Sequence, residues 1–400
     1  MHRLTYLLIR ITTFPLSLLP YASLHALGKP LGTLAYHFIP TLRKRALANL
    51  AAAPDLSLPN GEVRRIAKAS FQNLMITCLE YPKLAREKNI SNIAVCDNPQ
   101  GADEIMAKGK GAIFFCGHQA NWELLFLEGT SRMPGVAIGR PIKNHYLYTF
   151  VQNMRQKFGG TIIAPKDAIK GGLRGLKQGK FFGIVGDQGM PDSGFCCPFL
   201  GRKAWTSPIP ALLSYKTNTP IIVATTVRKN GKYHIRYSDP IYPNTSASKQ
   251  TEVPHLMTRA LALFEQGVKE HPEQWLWIHN RWKQQTTQVL KKRYRHDTIA
   301  VFIPEDPKFI DQLPTLREIY PTEEITIFVP KTIAAQLSIS AEVVPYSHLE
   351  ETLIDDLRFK LLINLTKSEK IDRHYQKRSC LEVVHPEGFD DKLKTLLCHG

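Results

Sequence analysis

The chain has 400 residues, of which 43% are hydrophobic and 22% are charged, and its formal net charge is +17. This composition is that of a globular protein and excludes a disordered, fibrous or collagen-like chain. At this length, two compact units are more common than one. The seven cysteines form no C-x-x-C pair, so the sequence indicates neither a zinc ribbon nor a redox pair and predicts reduced thiols in a cytosol-like compartment.

The positive charge is unevenly distributed along the chain. Residues 297–400 carry 12 Lys and Arg against 18 Asp and Glu, while the preceding residues carry 40 basic and 17 acidic side chains. A strongly basic body predicts an anionic partner, which is a nucleic acid, an acidic membrane surface or a phosphorylated substrate. Charge by itself leaves these three classes open.

Residues 1–54 contain no acidic side chain and favour a membrane as the partner. They include an uncharged stretch of 18 residues, 11–28, which is close to the minimum for a helix that crosses a bilayer core of about 30 Å. Two prolines interrupt this stretch. It is interpreted either as a buried core helix or, as we prefer, as a membrane-seated segment, with Arg43, Lys44 and Arg45 on anionic headgroups. A nucleic-acid binder has no use for such a segment, so no nucleic acid is expected.

The middle of the chain predicts alternating strands and helices. Strands are predicted at 112–116, 136–140, 161–165 and 180–188 and on both sides of a turn at Asn230–Gly231, and helices at 61–86, 145–159, 167–179 and 251–270. This alternation favours an α/β fold with a mostly parallel sheet.

The sign of the charge changes at the basic stretch 291–296, which predicts a domain boundary. Beyond it, the apolar runs 298–304, 324–330 and 359–366 predict strands of a small separate α/β unit. The predicted organisation is a membrane-associating segment over 1–54, a central domain over 55–290 and a small acidic domain over 297–400.

His118 and Glu123 are the candidate catalytic residues. His118 follows an apolar run at a predicted strand end, where reacting groups of α/β sheets collect, and Glu123 lies five residues on. A His can take a proton near neutral pH, and a carboxylate on its other ring nitrogen would fix the tautomer. The sequence lacks a G-x-S-x-G elbow and a Gly-rich phosphate loop, so the His is expected to act directly on a substrate hydroxyl. A bare His–x4–Glu pair is also common as a structural pair.

The surroundings of this pair carry a family resemblance. Residues 117–123 (GHQANWE) resemble the His-x4-Asp/Glu block of the lysophospholipid-acyltransferase-like superfamily, and the Asn–Trp–Glu form is similar to one branch, the lipid A late acyltransferases, which add lauroyl or myristoyl chains. Further similar blocks follow in the family's order over about residues 1–285: Gly139–Arg140–Pro141 with Asn144, Leu147 and Arg155; Gly186–Asp187–Gln188; 198–204; and 271–279 with Arg281–Trp282–Lys283. Gln119–Ala120 departs from the branch, which usually has Phe–Gly or a similar small pair there.

The resemblance implies a membrane-seated acyltransferase α/β domain with an N-terminal hydrophobic anchor. The implied reaction moves a fatty acyl chain from an acyl-carrier-protein thioester to a hydroxyl of a hydroxyacyl chain on a lipid A precursor. In it His118 is the general base and Glu123 orients it and stabilises its charge. The implied location is the bacterial inner membrane, with the catalytic domain on the cytoplasmic face, and no metal or cofactor is expected.

Five further residues of these blocks are expected to bind substrate: Asn121, Arg140, Arg155, Asp187 and Gln188. Arg140 and Arg155 are interpreted as phosphate or carrier contacts, the alternative being ordinary surface cations. Asp187 is explained equally well by hydrogen bonds within a turn. The oxyanion of the reaction is expected to bind backbone amides near His118 or the side chain of Arg140. The tryptophans of the last block are expected to pack or to anchor at an interface, and His279 is a further candidate.

Residues 297–400 lie outside this resemblance. Their opening part faintly resembles the first βαβ unit of a heptosyltransferase-like glycosyltransferase domain, but they amount to about half of such a domain and have no Gly-rich phosphate turn. We interpret them as a regulatory, docking or degenerate domain. Two alternatives to a lipid A acyltransferase stay open: an acyltransferase that acts on another glycolipid or a lysophospholipid from acyl-CoA, and a catalytically silent membrane-binding scaffold.

Overall fold

The structure, a computed structural model, describes residues 2–285, 290–311 and 313–385. The helices of these residues are α1 (His2–Thr13), α2 (Tyr21–Phe38), α3 (Pro40–Ala51), α4 (Asn60–Leu84), α5 (Gln100–Ala107), α6 (Glu123–Arg132), α7 (His145–Gln156), α8 (Ala168–Lys177), α9 (Ile209–Thr217), α10 (Lys249–Glu270), α11 (Leu313–Ile319) and α12 (Glu369–Gln376). The strands are β1 (Ala94–Cys96), β2 (Ile113–Cys116), β3 (Gly135–Ile138), β4 (Thr161–Ile163), β5 (Phe181–Val185), β6 (Phe195–Phe199), β7 (Arg202–Thr206), β8 (Ile221–Lys229), β9 (Lys232–Tyr237), β10 (Thr298–Phe302), β11 (Glu324–Pro330), β12 (Glu342–Tyr346), β13 (Leu361–Asn364) and β14 (Glu382–Val384). The last part of the predicted acidic domain, 386–400, lies outside the described residues.

The main sheet has seven strands in the order β1-β9-β8-β2-β5-β3-β4. Its neighbouring strands are parallel except for the β8–β9 hairpin. Every residue of β2, Ile113–Cys116, is buried, as expected for a strand that helices cover on both faces. The prediction of an α/β fold with a mostly parallel sheet is confirmed.

Helices cover both faces of the main sheet and enclose two apolar cores. Phe115 of β2 packs in one core with Phe264 of α10, and Phe114 packs in the other with Leu124 of α6. Because successive residues of a strand point to opposite faces, the two adjacent phenylalanines of β2 enter different cores.

The long helix α4 joins the N-terminal helices to the main sheet. Its buried residues recur at helical spacing: Val63, Ile66, Ala67, Ser70 and Phe71. Helix α2 crosses it closely at Gly32, where an added Cβ would lie 2.3 Å from the Cα of Gln72. This close approach requires glycine, and it fixes α2 against the helix that also carries residues of the candidate site.

The N-terminal helices expose many apolar side chains. The described residues of α1 include none that is buried. The exposed apolar residues of this region are Leu4, Leu7, Leu8, Ile9, Ile11, Phe14, Leu18, Leu27, Leu34, Phe38 and Ile39. Within the described ranges, we find no helix with both the length and the apolarity that crossing a membrane requires. The predicted membrane-seated stretch 11–28 forms the end of α1, a short 3-10 turn and the start of α2, and its contact with a membrane stays a prediction.

A second sheet has five parallel strands in the order β12-β11-β10-β13-β14. It contains the three strands predicted in this part of the chain, together with β12 and β14. Two further apolar clusters cover its faces.

Buried ion pairs join the second sheet to the rest of the molecule. Asp297, just before β10, pairs with Arg202 of β7 at 3.1 Å and with Lys360 at 2.6 Å. All three side chains are buried. The Asp297–Arg202 pair therefore joins the second sheet to the β6–β7 hairpin, and removal of either partner would leave an uncompensated buried charge.

Candidate active site

Three loops converge at one edge of the main sheet. His118 follows β2, Asp187 follows β5 and Arg140 follows β3, and these strands are neighbours in the order β2-β5-β3. Because the strands are parallel, their carboxyl ends lie at the same edge. The fold therefore brings together residues that are far apart in the sequence.

Asp187 orients the ring of His118. Its Oδ1 lies 2.6 Å from the His118 Nδ1, and its Oδ2 accepts the backbone N–H of His118 at 2.7 Å. Burial raises the pKa of the Asp187 carboxyl, but the facing charge of His118 and these hydrogen bonds outweigh burial, so the pKa lies well below its usual range. An ionised Asp187 accepts the Nδ1 proton, which leaves the Nε2 of His118 as the basic nitrogen.

The carboxylate partner of His118 thus differs from the predicted one, Glu123. Both Glu123 oxygens bind elsewhere: Oε2 accepts the Nε of Arg155 at 2.7 Å, and Oε1 accepts the Tyr81 hydroxyl at 2.7 Å and a second nitrogen of Arg155. The physical reason is direction, since Glu123 begins α6 and points to α7 and α4, whereas the Nδ1 of His118 faces the adjacent strand end. A catalytic role for Glu123 stays a prediction.

Trp275 and His279 support Asp187 from the other side. The Trp275 Nε1 donates to the Asp187 Oδ2 at 2.8 Å, and the His279 Nε2 lies 3.3 Å from the Asp187 backbone oxygen. The segment 275–281, which contains both residues, also binds the loop 117–122 directly, because the backbone N–H of Leu276 donates to the His118 carbonyl at 3.0 Å. Burial lowers the pKa of His279, which favours its neutral form. Trp275 therefore both packs and positions the Asp187 carboxylate, whereas the sequence indicated packing or anchoring at an interface.

Asn121 is a buried residue of the loop 117–122, which joins β2 to α6. It is fully buried, its Nδ2 donates to Glu80 at 2.7 Å, and its Oδ1 accepts the backbone N–H of Glu123 at 3.2 Å. Glu80 also accepts the Tyr233 hydroxyl at 2.9 Å and lies 2.6 Å from the His25 Nε2. We predicted that Asn121 contacts substrate, but the structure places it elsewhere. Both its amide nitrogen and its amide oxygen are bonded inside a buried network, so the residue positions the loop.

The loop turns sharply at Ala120. This residue has a φ of +48°, in the left-handed region that glycine adopts most easily. Its amide donates to the Gln274 carbonyl at 2.6 Å, and its own carbonyl accepts the Thr77 hydroxyl at 3.1 Å. The buried turn explains why a small residue stands at this position.

A pocket of about 350 Å³ opens at this edge of the sheet. Among its lining residues are His118, Glu123, Arg140, Arg155 and Gln188. The Gln188 Nε2 lies 3.5 Å from the His118 Nε2. Burial lowers the pKa of Arg155, but its bonds to Glu123 outweigh burial and raise it, so the guanidinium stays charged. Substrate contacts by Arg140, Arg155 and Gln188 stay predictions that this placement favours, since guanidinium groups suit anionic ligands.

An apolar pocket adjoins the first one between α6 and the sheet. The two pockets share Trp122, Phe126 and Ile138, and the apolar pocket continues past Gly129 to Met133 and Phe181 near the amino ends of the strands. Its lining is almost entirely apolar. This cavity has a volume of about 50 Å³ and adjoins the pocket that His118 lines, so it has room for a short length of hydrocarbon chain.

The basic residues predicted to contact a membrane also have contacts within the protein. Arg43 lies over a tyrosine ring, and Arg45 points to the carbonyl of Ile278 at 3.5 Å. Lys44 lies near the second sheet, and burial lowers its pKa. All three are partly buried, whereas nearby Phe38 is 78% exposed. Membrane contact by the three cations stays a prediction.

The site favours direct base chemistry. The thiol nearest the loop, Cys116, is fully buried, and burial raises its pKa, which disfavours a thiolate nucleophile. In the part of the chain that the structure describes, no group of three or more His, Cys, Asp or Glu side chains is placed to hold a metal ion.

Fold and site together define a class of enzyme. A His–Asp pair at the carboxyl ends of neighbouring parallel strands, next to a cationic pocket and an apolar one, suits an enzyme that activates a hydroxyl or water on an apolar, anionic substrate.

Comparison with protein families gives the particular family. The model of the bacterial lipid A biosynthesis acyltransferases matches residues 2–284, and the chain belongs to this family. The family resemblance stated from the sequence is thereby confirmed, while the branch is not resolved. A comparison with curated proteins found no match. Membership of the family indicates acyl transfer in lipid A biosynthesis, and all five strands of the second sheet lie beyond the matched residues.

Proposed function

We propose that the protein transfers a fatty acyl chain from an acyl-carrier-protein thioester to a hydroxyl of a hydroxyacyl chain on a lipid A precursor. The observation that carries this proposal is the His118–Asp187 pair at the junction of a cationic pocket and an apolar pocket. The cationic pocket suits a phosphorylated glycolipid, and the apolar pocket suits an acyl chain.

The proposed chemistry needs one base and no covalent enzyme intermediate. The His118 Nε2 takes the proton of the acceptor hydroxyl while its oxygen attacks the thioester carbonyl. The tetrahedral intermediate collapses with loss of the carrier thiolate, which receives the proton from the imidazolium, and an ester is formed. Ionised Asp187 stabilises the imidazolium throughout.

The developing oxyanion needs positioned donors. Two nearby backbone amides have other partners, since the amide of His118 donates to Asp187 and the amide of Ala120 donates to Gln274. Arg140 lines the pocket from the end of β3. Of the two sources that the sequence suggests, this arrangement favours the Arg140 guanidinium.

The partners and the location follow from charge and exposed surface. Acyl carrier proteins are acidic and the lipid precursor is anionic, so a basic body would attract both. Helix α1 lies on α7, with Tyr6 stacked on Tyr146 at 5.8 Å and Arg10 over the ring of Phe150, while its apolar side chains face outward. An in-plane seat on the cytoplasmic face of the inner membrane would bury these side chains near α7, which carries Arg155.

The direct test is acyl transfer by the purified protein. Lauroyl and myristoyl carrier thioesters are mixed with a tetra-acylated lipid A precursor in detergent, and products are read by mass spectrometry. The wild type should add one acyl chain, and His118→Ala should lose transfer by roughly 10²–10⁴-fold while remaining folded. Transfer at the wild-type rate by His118→Ala would refute the mechanism. If the wild type transfers no acyl chain to the lipid A precursor but does transfer one to another glycolipid, the proposed acceptor is refuted.

A further inference from the structure

The second sheet contacts the segment that supports the catalytic carboxylate. Lys360, which immediately precedes β13, is 1% exposed. Its Nζ donates to the Asp297 Oδ1 and to the Asn49 Oδ1, each at 2.6 Å. Its own backbone is held in the sheet, because its N–H donates to Thr298 and its carbonyl accepts from Leu381. One buried ammonium group therefore bridges the second sheet and α3.

Asn49 extends this bridge to the active site. It is 1% exposed, and its Nδ2 donates to the carbonyls of Trp277 at 2.7 Å and His279 at 2.9 Å. An ammonium group has donors only, so Lys360 fixes the amide of Asn49 with its oxygen toward the second sheet and its nitrogen toward these carbonyls. Among the described residues, Lys360 supplies the charged hydrogen bond to the Asn49 amide, and the two carbonyls supply neutral ones.

The segment 275–281 completes the connection. As described above, Trp275 and His279 contact Asp187, and Leu276 binds the carbonyl of His118. The path from the second sheet to His118 therefore runs through the hydrogen bonds of Asn49, along the backbone of 275–279, and through the side chains of Trp275 and His279 to Asp187. Buried networks of this kind specify one geometry, because each unmade bond costs the full desolvation of its group.

We propose that Lys360 is a positioning residue for acyl transfer, acting through Asn49 on the segment 275–281 and so on the Asp187–His118 pair. This inference rests on the proposed function. It assigns the second sheet, whose strands lie beyond the residues that the family model matches, a part in catalysis: the sheet holds the active site in its competent geometry.

The test compares two ways of weakening the same interface. Lys360→Met and Asn49→Leu remove the path, whereas Asp355→Asn weakens the neighbouring contacts of Asp355 with Asn60 and Arg64 and leaves the path intact. The first two should lower kcat by about three- to tenfold with KM little changed, and the double variant should be no slower than the worse single variant. Asp355→Asn should keep the wild-type kcat, even at a lower melting temperature.

A second measurement does not depend on substrate. Hydrogen–deuterium exchange of the peptides that cover 117–123 and 275–281 should be faster in Lys360→Met and Asn49→Leu and unchanged in Asp355→Asn. Exchange at the wild-type rate in Lys360→Met, or an equal rise in Asp355→Asn, would overturn the proposal. A wild-type protein that transfers no acyl chain would refute the proposed function, while the exchange data would still decide whether the path exists.

Discussion

Asp187 and Glu123 bind different partners, whereas the sequence assigned the orientation of His118 to Glu123. Asp187 binds the ring and the backbone of His118, and Glu123 binds Arg155 and Tyr81. In the proposed mechanism the His118–Asp187 pair serves proton transfer, and the contacts of Glu123 tie α6 to α7 and α4 at the wall of the pocket. Each carboxylate can therefore be tested by its amide variant.

Asp187→Asn should lower kcat by roughly 10²–10⁴-fold, because the amide no longer stabilises the imidazolium or fixes the tautomer. Glu123→Gln should act differently: it leaves the guanidinium of Arg155 without its ionic partner, so KM should rise and the melting temperature fall. Steady-state kinetics and thermal unfolding of the two variants measure both effects. The opposite pattern, a kcat loss confined to Glu123→Gln, would restore the assignment made from the sequence.

At the scale of single residues, the sequence identified His118 but not its partner. His118 could be found because it follows the apolar run of β2 within a recognisable block. The signal for Asp187 was also present, since it directly follows the apolar run of β5. What the sequence lacked was the order of the strands: only adjacency of β2 and β5 places the carboxylate 2.6 Å from the ring.

At the scale of elements, α6 and the strands beside it form the apolar pocket. Met133 ends this pocket after α6, far along the strands from His118. Met133→Ala should enlarge the closed end and shift the preferred donor to a longer acyl chain. Competition between carrier thioesters of 10 to about 16 carbons measures the preference; one methylene in such a pocket is worth about 1 kcal/mol. An unchanged preference would place the acyl chain elsewhere.

Helix α1 offers a separate test of the membrane seat. Leu4 and Ile11 are 63% and 69% exposed, and moving such side chains from water into lipid is worth about 1.5–3 kcal/mol each. Leu4→Glu together with Ile11→Glu should release the protein from vesicles of anionic phospholipid without changing its fold. Vesicle sedimentation measures this, and the matched control is Val343→Glu together with Ile354→Glu, at exposed apolar positions of the second unit. Retention of the double variant on the vesicles would contradict an α1-mediated seat.

The elements themselves were largely predictable, because their signals are local. The strands β2 to β5, the hairpin β8–β9 and helices α4, α7, α8 and α10 follow from apolar runs, helical spacing and a turn at Asn230–Gly231. The hairpin β6–β7 and the edge strands β1, β12 and β14 were not predicted, since they are partly exposed and need no continuous apolar run.

At the scale of the whole molecule, the stability of the interface between the two sheets should depend on pH. Burial lowers the pKa of His296 to about 4, and the pKa of neighbouring Asp297 is lowered to about 2, because Lys360 and Arg202 outweigh the opposite effect of burial. Between pH 6.5 and 4 the unfolded chain binds a proton at His296 that the folded chain does not. As the pH is lowered through this window, the free energy of unfolding should therefore fall by about 2 kcal/mol. The stabilisation by ionised Asp297 is lost only at lower pH.

Chemical denaturation at pH 7 and pH 4.5 measures this loss. His296→Gln should reduce the pH dependence and cost little otherwise, since the His296 Nε2 has no hydrogen-bond partner among the described residues. His348→Gln, at an exposed position of the same unit, is the matched control and should leave the pH dependence unchanged. Equal slopes in the wild type and His296→Gln would rule out this residue as the source.

The sequence by itself determined the α/β class, the family and the position of His118, the proposed general base. These follow from short-range patterns: apolar runs, charge balance and blocks of adjacent residues. The tertiary structure decided that Asp187 bonds His118, that the buried Asn121 bonds Glu80, and that Lys360 is connected to the active site through Asn49. These contacts join residues 41 to 311 positions apart, and their geometry depends on strand order and helix packing, which local patterns do not encode.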